Sequence, residues 1–146
     1  MNLVEKLYQL GSVEGIDKEL RLFAVFCARQ SQSWNSSIRV SNAIEVAERF
    51  AFDNATTDEL DSAFTETTEA ILIARRSKAG LYLSRAAEFA AYAAQSSCCS
   101  IAHEAAKFAS DSAAVACSFH SDNAVRKQAY KGAVEKQEQK FIELFC

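Results

Sequence analysis

The sequence predicts an all-α fold, a single-domain bundle of six or seven helices over residues 1–146. The chain has no proline and only four glycines, so few residues interrupt or weaken a helix. Alanine, the strongest helix former, fills 14 of the 38 positions from Ala79 to Ala116, which makes the second half alanine-rich. Between the polar breaks, apolar residues recur at helical spacing.

The first two helices are predicted from their ends. A short helix covers Leu3–Leu10 and ends at Gly11. Asp17 is a suitable N-cap for the second helix, which ends in the polar stretch Gln30–Ser33. The apolar face of the second helix consists of Leu20, Phe23 and Cys27, flanked by Leu22 and Phe26.

Trp34 lies in the loop after the second helix. It could cover the core as a lid or form an exposed contact, and we expect the lid because tryptophan is usually well buried. The third helix begins at Ser37 or Arg39 and extends to about Phe52. Helical spacing gives it an apolar face of Val40, Ala43, Ile44, Ala47, Phe50 and Ala51.

The fourth helix begins with a capping-box pattern, in which Thr56 is the N-cap and Glu59 the third helical residue. It ends near Arg75 and Arg76, because basic side chains suit a helix C-terminus. Its predicted inner face is Leu60, Ala63, Phe64, Thr67, Ala70, Ile71 and Ala74.

Three further helices are predicted. Ser77 is the expected cap of the fifth, and the polar run Ser96–Ser100 separates it from the sixth, which extends to about Phe119. Ser121 or Asp122 caps the last helix. The residues expected to face the core are Tyr82, Ala86, Phe89, Ala90 and Ala93 in the fifth helix, Ile101, Ala105, Phe108, Ala109 and Val115 in the sixth, and Val125, Tyr130, Val134, Phe141 and Phe145 in the last.

Charge and composition argue against several classes of protein. A net charge of −3 gives no basic footprint for direct nucleic-acid binding. No run of 18 apolar residues is present, so we expect no membrane span, and the first residues do not form a secretory signal. The cysteines are odd in number and irregularly spaced, which favours free thiols in a reduced cytoplasm. They are Cys27, Cys98, Cys99, Cys117 and Cys146.

Two cysteine–histidine pairs are candidates for a metal site or for catalysis. Cys99 with His103, and Cys117 with His120, would each share a helix face. If one helix spans His103 to Cys117, its rise separates them by about 21 Å, whereas zinc ligands lie within about 2.3 Å of the metal. Neither cysteine has a glycine-bearing turn beside it that could form an oxyanion hole. We therefore predict no metal, no cofactor and no catalytic residue.

Charge is distributed unevenly along the chain. From Glu45 to Glu69 eight acidic residues are opposed only by Arg49, a net of seven negative charges, and the remainder is net positive. Such a face can steer a basic partner; alternatively, it is a solvated face with acids near helix N-termini. The predicted partner-binding residues are Glu45, Glu48, Asp53, Asp58, Asp61, Glu66 and Glu69. The basic residues form two groups, Arg75, Arg76, Lys78 and Arg85, and Arg126, Lys127, Lys131, Lys136 and Lys140.

Three motifs carry a resemblance to a known family: the stretch 18–29 (KELRLFAVFCAR), the stretch 39–50 (RVSNAIEVAERF), and the turn 54–60 (NATTDEL). With the alanine-rich helices behind them, they resemble the immunity-five-like domain over Asp17 to Ala116. That family consists of small all-helical domains named for predicted immunity proteins of bacterial polymorphic-toxin systems, with related proteins in bacteriophages. The residues that match its pattern are Arg21, Arg39, Glu45 and Arg49. The resemblance implies no catalytic residue.

The expected function is therefore a non-enzymatic, cytosolic binding protein of a bacterial host cell. It would block another macromolecule, a toxin or a defence component, in the manner of an immunity or phage anti-defence protein. The alternative is a structural or assembly protein that self-associates through its alanine-rich helices, and a homo-oligomer is open under either reading. An enzyme that uses Cys99 and His103 is the third and weakest candidate.

Overall fold

The computed structural model describes residues 2–146, and over this range the chain forms seven α-helices, one 3-10 turn and no β-strand. The all-α prediction of six or seven helices is confirmed. Within the described range, no helix combines the length and the apolar composition that crossing a bilayer requires. The helices are α1 (Leu3–Leu10), α2 (Asp17–Ser31), α3 (Ile38–Ala51), α4 (Thr57–Arg75), α5 (Leu81–Ser97), α6 (Ala102–Ser118) and α7 (Asn123–Phe145), and the 3-10 turn is Gln32–Trp34.

Two predicted caps are confirmed by their hydrogen bonds. The Thr56 hydroxyl accepts from the Glu59 N–H at 3.1 Å, and the Glu59 carboxylate accepts from the Thr56 N–H at 3.4 Å, which completes the capping box of α4. The Asp122 carboxylate accepts from the first two N–H groups of α7, those of Ala124 and Val125. Both helices therefore begin where the sequence predicts.

Two other predicted caps are wrong. Asp17 is the first residue of α2 rather than its N-cap, which is Ile16 without a side-chain bond; in the first turn, the Asp17 carboxylate still suits the helix dipole. Ser77 does not cap α5, because its hydroxyl accepts from the Ala79 N–H inside the preceding loop. The N-cap of α5 is Gly80, whose φ of 105° lies in the region that favours glycine.

The core is built around α2, against which α3, α5, α6 and α7 all pack. Phe23 of α2 is completely buried, and its ring meets that of Phe141 edge to face at 6.3 Å between centroids. One hydrophobic cluster extends from Leu3 to Phe141 and draws residues from all seven helices.

The contact between α5 and α6 is made of small side chains. The fully buried alanines include Ala90 and Ala94 on α5 and Ala105 and Ala109 on α6. Alanine leaves room for two helices to approach closely, and this pair is among the most extensive contacts in the fold. The alanine-rich second half is therefore an internal packing surface.

Several large side chains that were expected to face the core are instead at the surface. Phe108 is 48% exposed, although its neighbours Ala105 and Ala109 are buried. The reason is that the buried side of α6 is closely packed with alanine and leaves no space for an aromatic ring. The predicted inner residues that are exposed are Phe64, Tyr82, Ile101, Phe108, Val125 and Tyr130; Phe50, Phe89, Val115, Val134 and Phe145 are half-buried.

The buried residues of α7 also differ from those predicted for its inner face. Only Ala133, Gln137 and Phe141 of this helix are buried. The Gln137 amide donates to the Ser110 carbonyl and to the Gln30 side chain, both at 2.9 Å, so the buried face of α7 includes a hydrogen-bonded polar residue that the predicted inner face lacks. The helical period alone contains no information on such long-range partners.

Trp34 is 40% exposed and does not form the predicted lid. It closes the 3-10 turn, which Asn35 ties to α5 by donating its side-chain amide to the Ala87 carbonyl at 3.0 Å. The indole borders a shallow cleft shared with Ile73 and Ala74 of α4.

Candidate protein-binding surface

The acidic segment occupies two consecutive helices, α3 and α4, that pack against each other. Asp53 lies in the turn between them with φ 59°, the only left-handed residue other than glycine in the described chain. Its N–H donates to the Phe50 carbonyl at 3.0 Å, and the Asn54 N–H donates to the Arg49 carbonyl at 2.7 Å. These two bonds form a Schellman motif, so Asp53 has a structural role in ending α3.

A groove of about 380 Å³ separates α3 from α4, and Asp58, Glu59 and Glu66 line it. Arg49 of α3 also lines the groove and lies 3.2 Å from the Glu59 carboxylate. By helical spacing, Glu69 falls on the same face of α4 as Asp58 and Glu66. These acids of α4 therefore form one strip of surface along the groove.

Two acids of the segment are held by arginine. Arg29 of α2 donates hydrogen bonds from both terminal nitrogens to the Glu48 carboxylate of α3, at 2.5 and 3.1 Å. This pair lowers the pKa of the Glu48 carboxyl. Hydrogen bonding from the Thr56 N–H, with a second contribution from Arg49, lowers the pKa of the Glu59 carboxyl. These contacts join α2 to α3 and α3 to α4.

Five acids remain without such a role, and we refer to them as the acidic surface. All five are exposed, and within residues 2–146 none forms an ion pair with a lysine or arginine. They are Glu45, Asp58, Asp61, Glu66 and Glu69. Of the seven predicted partner-binding residues, Glu48 and Asp53 are thus explained by the fold itself.

The cysteine–histidine pairs are not assembled into a site. Cys99 lies in the loop before α6, and its Sγ is 3.9 Å from a carboxylate oxygen of Glu104. His120 lies beyond the end of α6 and accepts from the Asp122 N–H through Nδ1. Because α6 is unbroken, its rise separates His103 from Cys117 by about 21 Å. Among the described residues, no three His, Cys, Asp or Glu side chains are grouped to hold a metal ion.

Three thiols are held in their protonated form by burial. Burial raises the pKa of Cys98 to about 12, and its Sγ lies 3.2 Å from the Ala43 carbonyl. Burial likewise raises the pKa of Cys27 and of Cys117. A thiolate is the nucleophilic form, so these residues behave as small apolar side chains.

The four residues on which the resemblance rests do not form one ion-pair network. Arg21 is buried and donates to the Cys99 and Ser100 carbonyls at 2.9 and 2.7 Å, which fastens α2 to the loop between α5 and α6. Arg49 pairs with Glu59, whereas Arg39 and Glu45 are exposed.

One charged group was missed by the sequence reasoning. Glu88 of α5 is only 5% exposed and lies within ion-pair distance of Arg75 and Arg85. The sequence places the two arginines in one basic group, but the carboxylate that binds them lies in an alanine-rich tract where the apolar pattern has little contrast. Its burial depends on the neighbouring helix.

Comparison with protein-family models, with curated proteins and with solved structures found no match.

Proposed function

We propose that the chain is a non-enzymatic binding protein that blocks a basic protein partner through the acidic surface on α3 and α4. The observation that carries this proposal is a set of five exposed carboxylates, on two adjacent helices, that the fold does not neutralise. The resemblance described above suggests the type of protein, an immunity or phage anti-defence protein in the cytoplasm of a bacterial host. The partner would then be a toxin or a defence component.

Electrostatic attraction alone would raise the association rate and the selectivity of this surface, but it would not produce tight binding. Exposed ion pairs contribute about 0–1 kcal/mol each. Complementary charge acts mainly on the association rate, and salt weakens it. A stable complex therefore needs apolar contacts in addition.

The apolar contact that we infer lies at the end of the same strip. Ile73 is one helical turn beyond Glu69 and is 55% exposed. With Trp34 it borders a cleft of about 210 Å³. Tryptophan is enriched among the residues that dominate binding energy at interfaces. A basic partner with one protruding apolar side chain would match both features.

Self-association through the alanine-rich helices stays an alternative. The alanines of α5 and α6, such as Ala90 and Ala109, are already buried in the core of the same chain. An oligomer would therefore have to form through other faces. Measurement of the mass in solution, with and without a captured partner, distinguishes the two functions.

The test begins with affinity capture from the native host, followed by surface plasmon resonance of the captured partner at two salt concentrations. We expect a Glu45→Lys, Asp61→Lys, Glu69→Lys variant to associate more slowly, and the difference to shrink in high salt. The matched control is Glu14→Lys, Asp111→Lys, Glu138→Lys, which makes the same charge change at exposed acids elsewhere. Equal association rates for the two variants would contradict a role for the acidic surface.

A further inference from the structure

A second polar site lies where α4 ends and α5 begins, and the proposed function does not use it. A cleft of about 480 Å³ is lined there by side chains from both helices and from the loop between them. Its polar lining residues are Arg75, Ser77, Lys78, Ser84, Arg85 and Glu88.

A buried carboxylate organises the two arginines of this cleft. Arg75 Nε lies 3.0 Å from Glu88 Oε2, and Arg85 Nη1 lies 3.6 Å from Glu88 Oε1. Arg75 is further held by a hydrogen bond from Nη2 to the Tyr92 hydroxyl. Each guanidinium has five N–H donors, so several donors of both groups stay free for a ligand.

The positive charges that line the cleft outnumber the single negative charge of Glu88. Lys78 also lines the cleft and, among the described residues, forms no ion pair. Three cations and one carboxylate thus line the cleft, which is net positive. The side chains of Arg75 and Arg85 are about half exposed, at 51% and 53%, so an entering ligand can reach them.

Hydroxyl donors complete the lining. The Ser77 hydroxyl oxygen accepts from the Ala79 N–H, which leaves its own O–H free to donate. The Ser84 hydroxyl donates to the Ser77 carbonyl and holds the loop against α5. Gly80 lies at the edge of the cleft, where a side chain would be strained by the φ of 105°.

We propose that this cleft binds the phosphate group of a small molecule. Guanidinium groups match phosphate oxygens in a two-pronged geometry, and lysine adds a point charge. The volume of about 480 Å³ lies in the range of small-molecule pockets, which is why the proposed ligand class includes a phosphate monoester of nucleotide size. The phosphate could also come as the free inorganic ion.

The experiment is a titration of the full chain, followed by ¹H–¹⁵N NMR at constant ionic strength. One arm uses inorganic phosphate, a second uses adenosine 5′-monophosphate, and chloride is the reference salt. We expect saturable shifts confined to residues 75–88 in at least one of the phosphate arms. The arm with the tighter binding identifies whether the ligand is the free ion or a monoester.

The variant is Lys78→Gln with Arg85→Gln, which leaves the Arg75–Glu88 pair in place. We expect its affinity for phosphate to fall about tenfold or more, because charge-assisted hydrogen bonds are lost. The matched control, Arg39→Gln with Lys127→Gln, removes one arginine and one lysine from exposed positions elsewhere, and we expect a change below about twofold.

Two results would overturn the proposal. One is a wild-type protein that shows no saturable shift at the cleft with either phosphate ligand. The other is an equal loss in the variant and the control, which would assign the effect to general charge. Lys78→Gln alone, at an exposed loop position, serves as the test if the double variant does not fold.

Discussion

The two halves of the core are packed in different ways. Around α2, α3 and α4, the fully buried positions include Phe23, Ile44 and Leu60, whereas between α5 and α6 they are alanines such as Ala90 and Ala109. The first half gains stability from large apolar side chains, and the second from close approach of helices. In the first half, truncation of a large side chain leaves a cavity. In the second half, the close alanine contact leaves no room for added atoms.

The largest expected effect is the loss of a large side chain from the first half. Phe23→Ala should lower the free energy of unfolding by about 3–5 kcal/mol, because Phe23 is fully buried against Phe141. Urea denaturation measures the change. Phe108→Ala is the control, since Phe108 is 48% exposed and its loss should cost about 0.5 kcal/mol or less. Equal losses for the two variants would refute the assignment of the core.

The second prediction tests the alanine contact by adding volume. Ala90→Leu should destabilise the protein by about 1–3 kcal/mol, since Ala90 is fully buried between helices. The control is Ala124→Leu in the exposed first turn of α7, where a similar change should be nearly neutral. Thermal unfolding of both proteins measures the difference, and tolerance of leucine at Ala90 would show that α5 and α6 pack loosely.

The third prediction compares a turn within the first half with the turn that begins the second half. Asp53 has φ 59° without being glycine, whereas Gly80 has φ 105°. Asp53→Gly should stabilise the protein by about 0.5–1 kcal/mol, because glycine adopts this conformation without strain. Gly80→Ala should destabilise it by about 1 kcal/mol or more. Chemical denaturation gives both signs, and a loss of stability in Asp53→Gly would mean that the carboxylate contributes more than the strain costs.

The smallest effect concerns the exposed ion pair between α2 and α3. The folded pKa of Glu48 is lowered from 4.5, so the pair stabilises the protein fully above about pH 4.5 and the contribution is lost as the pH falls through the folded pKa. Glu48→Gln should lower the free energy of unfolding by about 0.5 kcal/mol near neutral pH, a value typical of exposed pairs. The stability of this variant should also depend less on pH in the acidic range.

Unfolding measured from neutral to acidic pH, with Glu45→Gln as the control, tests this prediction. Glu45 lies on the same helix but forms no ion pair within the described residues, so its variant should follow the wild-type curve. A Glu48→Gln curve parallel to the wild type would exclude a contribution from the Arg29 pair.

The site was predictable to the extent that it depends on local features. Exposed carboxylates on α3 and α4 follow from composition and helical spacing, and five of the seven predicted residues remain available on the surface. That Glu48 is bound by Arg29 depends on how α2 packs against α3, a contact between residues 19 positions apart. The buried Glu88 with its two arginines depends in the same way on the packing of α4 against α5.

By itself, the sequence determined the helices, most of their ends and most of the buried face of α2 through α4, where Phe64 is exposed and Phe50 half-buried. These features depend on backbone propensity, on capping groups such as Thr56, and on a clear contrast between apolar and polar residues. The predicted inner alanines of α5 and α6, such as Ala90 and Ala109, are buried, but only the tertiary structure decided which large side chains of α5, α6 and α7 are buried. Where alanine occupies several sides of a helix, the apolar pattern has no unique direction, and the closeness of the neighbouring helix places Phe108 outside and Glu88 inside.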